Sequence, residues 1–182
     1  MPLPVHIRPF RAGDAPALRA LFHAAVHAIA RRDYTPEQLQ AWAPRDHDAA
    51  AWAERLRVNQ PWVAELASLP ASAAPAGGAL PGPAGAGAGN TVAGFADLQA
   101  DGCIDQFFVA PAFAGQGVAR ALMAHLHAQA AQRGIERLWA HVSLTAEPFF
   151  AAQGFAVQER RQVVRAGVVL RNALMAKTLG RG

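Results

Sequence analysis

The chain has 182 residues, 52% hydrophobic and 16% charged, which suits one globular domain, residues 1–182, with a substantial core. The single cysteine, Cys103, excludes an internal disulfide and a cysteine-based zinc site, so a reducing cytoplasm is the expected compartment. The net charge of +4 is scattered, no pair such as Arg160-Arg161 is long enough to argue nucleic-acid binding, and no apolar run reaches the ~18 residues of a membrane span. No charged and apolar leader precedes a small-residue cleavage site, so no signal peptide is expected. The excess of basic residues comes from arginine, with Lys177 the only lysine. It either steers an anionic ligand or reflects genome composition.

Val5–Phe10 reads as a strand. Asp14 then caps a helix that carries Leu18, Leu21, Phe22, Ala25, Val26 and Ile29 at helical spacing. Thr35-Pro36-Glu37-Gln38 opens a second helix: Thr35 suits the N-cap, Pro36 the first helical position, and Gln38 the third position of a capping box. A third helix is expected over Asp48–Arg57, and Trp62–Leu66 is a strand. Residues 68–90 are almost wholly Pro, Ala, Gly and Ser, without charge or periodicity. They cannot bury enough apolar side chain to offset ordering, so they read as a flexible loop inserted at a hairpin. Thr91–Leu98 and Gly102–Val109 read as paired strands, Gly117–Arg133 as a helix and Arg137–Ser143 as a strand. A short helix over Thr145–Gln153 follows, with Thr145 as N-cap and Gly154 as C-cap. Phe155–Val164 and Gly167–Lys177 close the chain as an antiparallel hairpin, whose strands could support a homodimer.

The most informative stretch is Phe107–Leu122: a strand end, a proline stop, the loop Gly115-Gln116-Gly117, then an Ala/Leu-rich helix. Such a loop aims free N–H groups of a helix N-terminus at one spot, where the helix dipole favours a phosphate or pyrophosphate. A phosphate-binding loop of the Gly-Lys-Ser/Thr kind is unsupported, because Val118-Ala119 stand there. A dinucleotide fingerprint would need a third glycine where Arg120 stands, although Glu136 lies at a tolerable distance.

The chain resembles the GNAT acyltransferase superfamily at Val109, Pro111, Phe113, Gly115, Gly117 and Ala119, departing at Ala114, where that family usually has Gln or Arg. A second stretch, Ser143–Phe155, is similar to the GNAT signature Asn-x-x-Ala-x-x-Phe-Tyr-x-x-x-Gly-Phe at Ala146, Phe149, Gly154 and Phe155. There Ser143 replaces the usual Asn and Phe150 the usual Tyr. Tyr34-Thr35-Pro36 and Ala41-Trp42-Ala43 also look like a bacterial subgroup with a Tyr-Ser/Thr-Pro…Ala-Trp-Ala stretch. The resemblance runs from about Val5 to Leu179. It implies an α+β (α/β/α) fold with a mixed, mostly antiparallel sheet of six to seven strands and about four helices. It also implies transfer of an acetyl group from acetyl-coenzyme A to a small-molecule amine by direct attack, without metal. The alternative is a regulatory module that binds acyl-coenzyme A without turnover, which the changes at Ala114, Ser143 and Phe150 favour.

By this resemblance the cofactor would be held by Phe108, Val109, Ala114, Gly115, Gln116, Gly117, Val118, Ala119 and Arg120, with Ser143 and Phe150. GNAT enzymes often recruit a carboxylate from the strand before the loop, here Asp105, as base; strand alternation would place Cys103, Asp105, Phe107 and Val109 on one face. His141 could titrate near neutrality as base or proton relay. Phe150 cannot donate a proton, so Tyr34, the only tyrosine, is the candidate acid toward the thiolate; it also suits a hydrophobic staple with Leu39. Trp42 and Trp52 are candidates for an acceptor pocket. His125 and His127 face different directions and form no metal pair.

Overall fold

The computed structural model describes residues 4–67 and 90–180. The expected insertion over 68–90 lies outside the described residues, except for Asn90, which opens a strand. Among the described residues, seven strands form two antiparallel sheets. In the first, β1 (Val5–Pro9), β2 (Trp62–Ala67), β3 (Asn90–Ala96) and β4 (Phe107–Val109) lie in that order. In the second, β7 (Val168–Thr178) sits between β5 (Arg137–Ser143) and β6 (Ala156–Arg165). Helices α1 (Ala15–Ile29), α2 (Pro36–Trp42) and α3 (Ala49–Asn59) fall between β1 and β2. Helix α4 (Val118–Gln132) joins β4 to β5, and α5 (Glu147–Ala152) joins β5 to β6.

The core divides around the first sheet. Val118, Leu122, Met123 and Leu126 of α4 pack with Ala64, Leu138 and Met175 in one cluster. Leu18 and Leu21 of α1 and Leu56 of α3 pack on Val63 and Phe95 in another. A third joins α1 and α2 to β7 through Val26, Tyr34, Leu39 and Leu170.

The sheets meet at one point and then part. Trp139 N–H donates to Gly102 O at 3.0 Å and Ile104 N–H to Trp139 O at 2.8 Å, a parallel bridge between Cys103 and Trp139. Gly102 is required there: its φ is +85°, and a Cβ would lie 2.0 Å from Arg137 O. Beyond the bridge, among the described residues, β4 pairs only with β3 and β5 only with β7, so a wedge opens between them.

Four local expectations are corrected. The strand expected over Gly102–Val109 is only Phe107–Val109. Fully buried Asp97 causes this: its Oδ1 accepts N–H bonds from Asp105 at 2.8 Å and Gln106 at 3.0 Å, replacing ladder bonds with side-chain ones. The alternation that put Asp105 with Phe107 and Val109 therefore does not apply, and the preceding strand ends at Ala96 rather than Leu98. Asp14 occupies the N-cap position of α1 but makes no cap bond; it accepts from Arg8 Nη1 at 2.8 Å and Arg11 N–H at 2.7 Å. Thr145 does not cap α5, since its hydroxyl donates to Asp33 at 2.7 Å. Ser143 Oγ instead accepts the N–H of Ala146, the N-cap residue, at 3.2 Å.

Candidate active site

The glycine loop leads into α4 through a positive-φ turn. Gly115 has φ +77° and Gly117, the N-cap, φ +88°; a Cβ at either would project into open space. Glycine is needed here for backbone conformation, and a side chain would occupy the space in front of the loop. The first intrahelical bond runs from Ala121 N–H to Gly117 O at 3.0 Å. The N–H groups of Val118, Ala119 and Arg120 therefore have no intrahelical partner, at the positive end of a 15-residue helix dipole. Exposed Arg120 adds a full positive charge beside them. Gln116 turns away: its Nε2 donates to Ala112 O at 2.8 Å.

The loop forms one end of a cleft of about 480 Å³ that runs through the wedge between β4 and β5. One wall carries Phe107, Phe108 and Val109, and the other Ala140, Val142 and Ser143. Ala110 N–H donates to Ala93 O at 2.8 Å and Asp97 N–H to Gln106 O at 3.1 Å, with Phe95 opposite Phe108 between them. Antiparallel strands alternate such pairs, so the N–H and C=O groups of Phe107 and Val109 turn away from β3, toward the wedge. A second, smaller cleft of about 170 Å³ lies between α1, α2, α3 and the closing hairpin. Trp42, Asp105, Phe108, His141 and Ser143 line both clefts, which therefore meet at the residues singled out for chemistry.

Asp105 Oδ2 accepts from Arg55 Nη2 at 2.7 Å and from Asn59 Nδ2 at 2.8 Å, while its Oδ1 takes no hydrogen bond among the described residues. Asn59 Nδ2 also donates to Asp97 Oδ2 at 2.8 Å, and burial pushes the Asp97 carboxyl up to about 6. His141 makes an edge contact with Trp139, ring centroids 5.7 Å apart, and no hydrogen bond among the described residues. Desolvation, reinforced by Arg161, holds its imidazole below the usual value, so it is neutral at pH 7 and free to accept a proton.

Tyr34 lies apart from the large cleft and lines the small one. Its hydroxyl donates to Arg171 O at 2.6 Å and accepts Leu144 N–H at 3.0 Å, tying the turn before α2 to β5 and β7. Burial raises the phenol above its usual value, so it stays protonated, with its proton directed at a backbone carbonyl. Phe150 is buried and packs edge-on against Phe107 and Phe155. His125 meets Trp62 edge-on, and His127 Nε2 faces Lys177 Nζ at 3.0 Å. Both lie away from either cleft.

An N–H-lined loop at one end of a wedge, and polar side chains where it meets a second cleft, suit a ligand with a phosphate at one end and its reacting group at the other. A family model described as an acetyltransferase (GNAT) domain matches residues 84–179. The chain belongs to this family. It is 29% identical over 171 residues to the uncharacterized N-acetyltransferase YafP of Escherichia coli (strain K12), covering 94% of each chain. Among solved structures it is similar to a GCN5-related N-acetyltransferase from Rhodopseudomonas palustris: 29% identity, TM-score 0.81, 98% of this chain and 99% of that one. The PaiA N-acetyltransferase of Thermoplasma acidophilum, solved with coenzyme A, shares the fold at 13% identity and TM-score 0.66, covering 97% and 100% of the two chains.

Sequence reasoning missed part of this GNAT site. Asp97 shapes the Asp105–Gln106 segment, and Arg55 and Asn59 reach Asp105 from α3. Gln106, Arg165, Arg171 and Asn172 line the small cleft. Only the turn chemistry of Asp97 left a trace, in the run Asp97-Leu98-Gln99-Ala100-Asp101-Gly102 between two strand-like stretches.

Proposed function

We propose that this GNAT chain is an N-acetyltransferase that moves an acetyl group from acetyl-coenzyme A to the amine of a small molecule, with both bound at once. The meeting of the two clefts at Asp105 and His141 carries this reading, because it gives donor and acceptor separate arms that open on one junction. The residues present fit the cofactor. The N–H groups of Val118, Ala119 and Arg120 suit its pyrophosphate, and the apolar wedge walls suit its pantetheine arm. When bound, acetyl-coenzyme A supplies an acetyl thioester whose carbonyl carbon takes the amine nitrogen and whose carbon–sulfur bond breaks.

The chain's own groups then divide the work. Val109 N–H, turned toward the wedge, donates to the developing oxyanion in this reading. Neutral His141 accepts a proton from the attacking amine, and Asp105 Oδ1 holds the ammonium form before that proton leaves. Neither Phe150 nor the fully engaged Tyr34 hydroxyl supplies an acid, so the departing thiolate takes its proton from solvent.

That shortage of a side-chain acid is the specific observation favouring the second reading, a module that binds acyl-coenzyme A without turnover. A thiol-release assay with a panel of amines separates the two. Amine-dependent thiol release supports the transferase; saturable coenzyme A binding with no release for any amine supports the module.

A further inference from the structure

The small cleft has a charge balance that bears on the acceptor. Arg55 pairs with Asp105 at 2.7 Å, which cancels one positive charge against the only carboxylate in the lining. Arg165 and Arg171, from the closing hairpin, make no ion pair among the described residues. Their neighbours Arg160 and Arg161 hold Glu147 and Glu159 at 2.5 and 2.6 Å, so those acids are taken. Residues 68–89 contain no Asp or Glu in sequence and add no counter-charge. By strand register Arg165 shares a face with Val163, Leu170 and Asn172, whereas Arg171 lies on the other face, so the cleft presents a surplus of about one positive charge, and a plain amine or polyamine would enter it against repulsion.

Two residues with unpartnered carboxamide oxygens line the same cleft. Gln106 is 2% exposed, and neither its Oε1 nor the buried Oδ1 of Asn172 has a hydrogen-bond partner among the described residues. Buried polar groups left unpaired are costly, and because both of these atoms are acceptors, a ligand that donates N–H groups, such as an ammonium, relieves that cost. The opposite wall is aromatic: Phe22 meets Phe108 edge-on at 4.8 Å and stacks on Trp52 at 5.5 Å. About 170 Å³ leaves room for a small molecule only.

We infer that the acceptor is a small amine bearing its own carboxylate, an amino acid with an apolar side chain, and not a polyamine. This rests on the acetyltransferase reading above. The carboxylate meets Arg165, the apolar side chain lies on Phe22 and Phe108, and the amine sits at the junction with Asp105 and His141.

The test uses matched pairs that differ only by the carboxylate: leucine against 3-methylbutylamine, and phenylalanine against phenethylamine, with spermidine as polycation. Binding to the full chain saturated with coenzyme A is followed by calorimetry, and turnover by thiol release. Each amino acid should bind at least tenfold tighter than its amine. The variant R165Q should erase that preference while melting like the parent, since Arg165 is exposed. The inference is overturned if the amine of a pair binds as well as the amino acid, if spermidine binds tightest, if no amino acid binds, or if the preference survives in R165Q. If the preference holds while no member is acetylated, the ligand class stands and the transferase reading falls.

Discussion

Replacing Tyr34 with Phe removes one oxygen and separates two accounts of this residue. The hydroxyl bridges Leu144 N–H at 3.0 Å and Arg171 O at 2.6 Å, in a side chain 6% exposed. Loss of the oxygen leaves a donor and an acceptor without a partner, each costing roughly 1–1.5 kcal/mol where water reaches poorly. The ring keeps its packing on Trp42. The total of roughly 2–3 kcal/mol corresponds to about 4–12 °C in melting temperature for a chain of this size. The predicted signature is a clear fall in melting temperature with kcat, measured well below the transition, within about threefold of the parent. A variant that melts like the parent while kcat falls by ~10² or more would refute the reasoning and make Tyr34 the acid toward the thiolate.

Gly117→Glu places a negative side chain in the open space before the cradle, at φ +88°, so coenzyme A affinity by calorimetry should fall at least tenfold; unchanged affinity in the folded variant would exclude the cradle. His141→Ala should lower kcat by ~10²–10⁴ and abolish the acidic limb of the pH–rate profile. In the parent that limb falls below the ordinary histidine value of 6.5, because the folded imidazole is shifted down. Asp105→Asn should mainly raise KM for the amine, since Asp105 is assigned to hold the ammonium. Asp97 gives a stability signature. Its folded value is raised from 3.8 to about 6, so the folded chain holds the proton more tightly, and stability falls as pH rises between those values, by up to about 3 kcal/mol. Relative to Asp97→Asn, denaturant unfolding should show the parent losing ground from about pH 4 to 6, and parallel curves would contradict the shift.

What the sequence made legible was local. The capping box of Thr35 and Gln38 forms as read, with Gln38 N–H donating to Thr35 Oγ1 and Thr35 N–H to Gln38 Oε1. The strand expected over Arg137–Ser143 has those bounds, because its buried positions alternate and Gly134 breaks the preceding helix. The glycine loop was readable because positive φ leaves few residues to choose from. What was hidden depends on tertiary placement. Asp97 looks like any acid at a strand end, and only the fold buries it under Asp105 and Gln106. Thr145 and Asp14 satisfied a capping pattern, yet partners far away or stronger claimed their oxygens: Asp33 lies 112 residues from Thr145, and Arg8 makes two bonds to Asp14. The small cleft draws Phe22, Arg55, Asp105 and Arg171 from four separate regions, and no periodicity joins them.

The central claim is that the two clefts share one reaction centre, with the cofactor in the larger arm. A crystal structure with acetyl-coenzyme A bound tests it most directly. The account predicts pyrophosphate oxygens on the N–H groups of Val118, Ala119 and Arg120, the thioester carbonyl within hydrogen-bond reach of Val109 N–H, and the acetyl group facing His141 and Asp105. A cofactor seated away from the Gly115–Gly117 loop, or one whose acetyl group is walled off from the small cleft, would contradict it.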